Sequence, residues 1–288
     1  MARQAAIPAR RLYAGCAIWA YKGWVGSFYP VKTKAADFLR EYSRRLTAVE
    51  GNTTFYAVPS AESVKRWAEQ TPPGFNFCPK FPKAITHERR LKEAGAEAGL
   101  FLERMSGLGD RLGPLFIQLP PSFGQSSADV LAAFLAGLPG GYRIAVEVRH
   151  PDWFTQAGRR RLNALLEQHH TARVIVDTRG LREGESADVR VNQSRERKPD
   201  LPIHPDLTSH FAFVRLILNP RSDLNEPYLA EWTERIAGWL ETGVQVFLFC
   251  HCPDEVQSPT YARLLHARIA ARTAVEPLRG EPEQSALL

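Results

Sequence analysis

Glu50, Glu147 and Asp177 are carboxylates, and Lys80, Arg149 and Arg215 cations, that stand at or near the late ends of short apolar runs far apart in the chain. Asn52, Gln118 and His251 hold matching places in their own runs. Gathered in one cavity, such groups offer two kinds of chemistry. The cations hold a phosphate or carboxylate by charge-assisted hydrogen bonds. Paired carboxylates whose pKa values are driven apart divide the duties of general acid and general base. On this reading Glu50, Glu147, Asp177 and His251 are catalytic, and Asn52, Lys80, Gln118, Arg149 and Arg215 bind substrate. The bland alternative is a buried network in which acids and bases merely cancel. Burying this many charges without a use is costly, which favours the functional reading.

The runs that must position these groups are residues 12–18, 48–55, 75–81, 114–119, 143–149, 172–177, 211–218 and 244–250. They alternate with segments of helical period, as in Phe38, Tyr42 and Leu46, or Leu229, Trp232, Ile236 and Trp239. Eight strands alternating with helices predict an α/β fold, a single (β/α)8 TIM barrel, whose reactive groups collect at the carboxyl ends of the strands. Side chains alternate along each strand, so Val49, Val146 and Val148 face the helices while Glu50, Asn52, Glu147 and Arg149 face inward. Ser258 before Pro259, and Asn225 before Pro227, read as helix starts. Residues 179–209 are polar, contain prolines and show no sustained period, so a long irregular connection replaces the helix between the sixth and seventh strands and overhangs the site. The expected organisation is an N-terminal extension over 1–10, the barrel over 11–272 and a flexible tail over 273–288. Trp19, Tyr21, Trp24, Phe55, Tyr56 and Trp153 flank the polar ring, either to stack on a sugar or base or to plug the barrel. Trp153 is counted with the substrate-binding set.

Composition bounds the function classes. The chain has 288 residues, 44% of them hydrophobic and 24% charged, which is ordinary globular composition. Lys and Arg outnumber Asp and Glu by 37 to 31, a formal charge of +6, so anionic partners are favoured. The 4 cysteines are scattered, no apolar run has signal-peptide length, and none approaches a membrane span, so a cytoplasmic protein is expected. Cys250 and Cys252 alternate outward on a strand, as core residues do. No dinucleotide fingerprint, P-loop or HExxH motif occurs, and no cofactor is expected.

The segments VEGNTTFY (49–56), FCPKFPKAITH (77–87), QLPPSF (118–123), VEVRHPDW (146–153), RKPDLPIH (197–204), FVRLI (213–217) and FCHCPDEVQSPTYARLLH (249–266) resemble the family called domain of unknown function 72, in its YecE-like branch. The resemblance spans residues 11–270. It implies a (β/α)8 barrel with Glu50, Asn52, Lys80, His87, Gln118, Glu147, Arg149, His150, Trp153, Asp177, Arg215, His251 and Asp254 on recurrent motif positions, and it implies no established reaction. His87 thereby joins the substrate-binding set. The chain departs from the family at Cys250-His251, where many members carry Asn-Asn, and at Gly51, where an aliphatic residue is usual. Three functions fit. The first is a metal-free hydrolase or lyase acting on an anionic or sugar-like small molecule. The second is a metal-dependent phosphoesterase or isomerase resembling endonuclease IV or xylose isomerase, with a divalent metal on Glu50, Glu147, Asp177, His87 and His251; cations in the same ring would compete with that metal. The third is a basic nucleic-acid-associated or regulatory binding protein, motivated by the charge, the aromatic rim and RERK at 195–198.

Overall fold

Alternation along each apolar run creates two faces that must both be buried, and closing the runs into a barrel satisfies both at once. The computed structural model describes residues 11–279. Its strands are β1 (Leu12–Cys16), β2 (Ala48–Gly51), β3 (Asn76–Pro79), β4 (Leu115–Gln118), β5 (Ile144–Glu147), β6 (Ala172–Asp177), β7 (Phe211–Ile217) and β8 (Gln245–His251). They pair in parallel in the order β3-β2-β1-β8-β7-β6-β5-β4. The ring closes between β3 and β4 through single parallel bridges, Phe77 with Leu112 and Lys80 with Phe116. The expected α/β barrel is therefore the observed one. Among the described residues its helices are α1 (Phe38–Ser43), α2 (Ala61–Gln70), α3 (Gly95–Ser106), α4 (Ala128–Ala136), α5 (Gln156–Gln168), α6 (Arg179–Arg182), α7 (Val189–Arg197), α8 (Glu226–Glu241) and α9 (Ser258–Ala270).

Inward-facing side chains stack in layers. Tyr13, Phe116, Phe213, Phe247 and Phe249 fill the middle of the barrel, with Tyr13 lying flat on Phe247 at 4.6 Å between ring centroids. The outward set, including Val49, Ile117, Val146 and Leu248, merges with the helix stripes into a continuous shell. Each fully buried side chain of this size contributes about 1.5–3 kcal/mol. One step along the strands above the aromatic plug, the inward places are taken by Glu50, Lys80, Gln118, Glu147, Arg215 and His251, all buried. The polar ring thus rests on an apolar floor at the carboxyl ends of the strands.

Residues 179–209, which show no helical period in the sequence, nevertheless hold α6 and α7. The Asp188 carboxylate caps α7 by accepting from the Arg190 N–H at 2.8 Å, and Val191 packs with Leu181 and Ile217 in a small core of its own. A helix of 9 residues that buries Val191 alone leaves no stripe to read. The stretch from Thr273, expected to be flexible, packs as far as it is described. Leu278 is buried in the shell, and the Arg11 N–H donates to the Glu276 carboxylate at 3.3 Å. Residues 1–10 and 280–288, the expected extension and the rest of the expected tail, lie outside the described residues. No helix among the described residues is long and apolar enough to cross a membrane.

Candidate functional site

Arg215, on β7, is the hub of the polar ring. Its Nε and Nη2 donate to the two oxygens of Glu50, each at 2.8 Å, and its Nη1 donates to Glu147 Oε2 at 2.5 Å. Glu147 Oε1 also accepts from Arg149 Nε at 2.7 Å and from Gln118 Nε2 at 2.8 Å. Asn52 Nδ2 donates to Glu50 Oε1 at 2.7 Å and to the Ala17 carbonyl at 3.2 Å. Burial alone would raise the pKa of both glutamates. Arg215 and then His251 more than reverse this for Glu50, which is held well below the carboxylate range. Arg215, Arg149 and Lys80 bring Glu147 down to about 2. Both acids are therefore ionised at neutral pH, and the expected division of acid and base duties between them does not arise. One guanidinium serves both.

Above this floor opens a cleft of about 660 Å³ lined by Asn52, Lys80, His87, Gln118, Arg149, Arg215 and His251. His251 Nε2 lies 3.2 Å from Glu50 Oε2. Burial lowers its pKa to about 4 against the pull of Glu50. The ring is neutral, its proton sits on the nitrogen facing the carboxylate, and Nδ1 keeps a lone pair. Lys80 Nζ donates to Gln118 Oε1 at 2.7 Å and lies 3.9 Å from the centre of the Phe55 ring. Burial, then Arg215, bring it down to about 7, against Glu147 and Glu50. His87 packs edge-on against Phe55, and burial followed by Lys80 lowers it to about 4.

Two expected site residues are elsewhere. Asp177 accepts from Trp232 Nε1 at 2.7 Å, from the Arg179 N–H at 2.9 Å and from Arg179 Nη2 at 2.8 Å. On β6 the interior places belong to Ala172, Val174 and Val176, so parity turns Asp177 outward to α8. Trp153 is fully buried in the shell and donates to the Phe123 carbonyl at 2.7 Å; the short helical turn at Pro151–Phe154 rotates it away from the cleft. Trp24 is likewise core, while Phe55 and Tyr56 do face the opening.

The loops supply groups that the strand pattern cannot reveal. Arg190, Arg197 and Lys198 line the cleft from α7 and the residue after it, and Lys83 faces them from the turn after β3. Burial, then Arg215, hold Lys198 at about 8. Glu255 also lines the cleft. Its backbone is left-handed, φ 58°, and pinned by Trp24 Nε1, which donates to its carbonyl at 2.8 Å. Its carboxyl accepts from Ser258 Oγ at 2.8 Å. Burial raises it to about 7 even though Ser258 and Lys198 pull the other way. Ser258, which reads as a helix cap, is in fact the first residue of α9, and its hydroxyl serves Glu255 instead. That hydroxyl, three residues after the acid, was the available signal.

The donors named for a divalent metal are Glu50, Glu147, Asp177, His87 and His251. Among the described residues no group of three or more His, Cys, Asp or Glu is placed to hold one. Glu50, beside His251, has both oxygens engaged by Arg215, and Asp177 belongs to the shell. Cys250 and Cys252 are buried free thiols, raised in pKa chiefly by burial.

The family model described as "Protein of unknown function DUF72" matches residues 13–286. The chain belongs to the DUF72 family. Among relatives, it is 35% identical over 255 residues to "UPF0759 protein YecE" of Escherichia coli strain K12, covering 88% of this chain and 91% of that protein. It is 28% identical over 153 residues to "UPF0759 protein YunF" of Bacillus subtilis strain 168, covering 50% and 52%. Two DUF72 family crystal structures share the fold. One, from Thermotoga maritima MSB8, has a TM-score of 0.69 at 23% identity and covers 90% of this chain and 99% of its own. The other, from Enterococcus faecalis V583, has a TM-score of 0.70 at 17% identity and covers 95% and 99%. Membership in DUF72 brings a fold and an ordered set of motifs, and no reaction.

Proposed function

We propose that the cleft binds a small molecule bearing a phosphate or carboxylate and acts on it by metal-free acid–base chemistry, as a hydrolase or lyase. The observation that carries this reading is the arrangement of the mouth: Lys83, Arg190, Arg197 and Lys198 converge on one cleft, above Glu50 and Glu147, whose two charges Arg215 and Arg149 balance. Arg190 is ion-paired with Asp188 and Asp254, and Lys83 with Glu88, so the surplus positive charge at the opening comes from Arg197 and Lys198, which make no ion pair among the described residues. Arg149 uses Nε on Glu147, and among the described residues its Nη groups make no hydrogen bond, so they are free to take an anion in the forked geometry that suits oxyanions. His251, neutral and oriented by Glu50, is the base. Glu255, about half protonated at pH 7, is the acid. The buried free cysteines agree with a cytoplasmic setting.

Titration calorimetry with inorganic phosphate and with small dicarboxylates at low salt tests this reading. Arg149→Met should weaken binding about 10–100-fold, the worth of a hydrogen bond to a charged group. Phosphate affinity that is absent, or indifferent to Arg149, would remove the anion site.

A further inference from the structure

Lys80 is set apart from every other cation of the ring. Arg215 and Arg149 are each ion-paired with a buried carboxylate, whereas Lys80 has no ion pair among the described residues. Gln118 stands between them: the amine donates to the amide oxygen at 2.7 Å, and the amide nitrogen donates to Glu147 at 2.8 Å. A lysine placed merely to balance charge would reach the carboxylate itself. The amide spacer keeps the amine from the partner that would hold it charged, while the side chain, 7% exposed, still lines the cleft.

We propose that Lys80 is a nucleophile that forms an imine with the carbonyl carbon of an aldehyde or ketone carrying a phosphate or carboxylate. The anionic group rests on the cationic mouth, so the inference builds on the function proposed above and narrows its substrate class. The charged and titratable groups facing the amine are Glu50 from β2, Glu147 from β5, Arg149 just after β5, Arg215 from β7 and His87 from the turn after β3. Burial and the neighbouring guanidiniums hold the amine near neutrality, so about half of it carries a lone pair at pH 7. The Phe55 face opposes this by favouring the cation. In the reaction Nζ bonds to the carbonyl carbon, and the π pair moves to oxygen. That oxygen takes one proton from nitrogen and one from an acid of the cleft or from water, then leaves as water. The product is an iminium with one hydrogen on nitrogen, an electron sink at the adjacent carbon of the kind a lyase uses.

The full chain at neutral pH is incubated with dihydroxyacetone phosphate in one arm and pyruvate in another, and borohydride is added to reduce any iminium to a stable secondary amine. Intact mass and peptide mapping should show a single adduct, on Lys80, with the exposed Lys65 unlabelled; the responding arm identifies the anionic group. Lys80→Arg should abolish it. Competitive acylation of the unmodified protein is independent of that variant's folding, and Lys80 should titrate at least ~2 pH units below the usual lysine value of ~10.4. No adduct in either arm, adducts spread over surface lysines, or a Lys80 that titrates with the others overturns the proposal. Inorganic phosphate affinity is measured in parallel: retained binding without an adduct sinks the imine alone, and lost binding sinks the anion site with it.

Discussion

Replacing Arg215 with methionine keeps much of the side chain's length and removes the charge on which the floor of the site depends. Glu50 and Glu147, exposed by 0% and 1%, would lose the three hydrogen bonds and two ion pairs that Arg215 makes. Breaking a buried pair in this way costs about 3–5 kcal/mol, because the remaining charge is left uncompensated. For a chain of 288 residues, an unfolding entropy of ~2.1 cal/mol/K per residue amounts to ~0.6 kcal/mol/K. The midpoint of thermal unfolding should therefore fall by roughly 5–8 °C. Calorimetry at several pH values separates this mechanism from simple loss of packing. In the native protein both glutamates are depressed, so their contribution is complete above the unfolded pKa of ~4.3 and disappears only as pH falls through the folded values. In Arg215→Met burial dominates and the folded pKa values rise above ~4.3. The variant must then regain stability relative to the native protein as pH is lowered through those raised values toward ~4.3. A loss under about 1 kcal/mol, or a deficit that does not shrink on acidification, would refute the hub role of Arg215.

Asp177→Asn should cost about 1.5–3 kcal/mol by weakening its bonds to Arg179 and Trp232, with phosphate affinity unchanged; a tenfold loss of affinity at intact stability would return Asp177 to the cleft. Leu278→Ala should cost about 2–5 kcal/mol in urea unfolding, and a neutral result would mean that the packed segment after α9 contributes nothing. His251 has a folded pKa of about 4 against ~6.5 unfolded, so its contribution is complete above pH 6.5 and lost as pH falls toward 4, amounting to roughly 2–3 kcal/mol by pH 4.5. His251→Asn should flatten the pH dependence of stability between 6.5 and 4.5, and superimposable profiles would show that the ring is not held neutral.

The strands and their facing were legible because an apolar run of alternating period has few other fates. Glu50, Lys80, Gln118, Glu147, Arg215 and His251 share one layer because they share one parity. Asp177 was misplaced because its position at the end of a run outweighed that parity; Val174 and Val176 already hold the interior on β6. The pairing of charges was not legible. A ring with equal numbers of acids and bases does not reveal that one arginine satisfies two glutamates while a glutamine shields the lysine. Glu255 and α7 escaped for another reason, since loop groups are placed by tertiary contacts that leave no periodic trace; Lys198 was seen only as part of the basic stretch at 195–198.

The small core formed by Leu181, Val191 and Ile217 gives α7 an anchorage separate from the shell that holds the barrel together. Arg190 adds two ion pairs, to Asp188 at 2.8 Å and to Asp254 at 3.4 Å. The cations contributed by this helix therefore ride on a cassette held apart from the shell of the barrel. Rewriting Arg190, Gln193, Ser194 or Arg197 changes what the entrance admits while the load-carrying strands go on folding as before. Selectivity and stability are written in different parts of the chain.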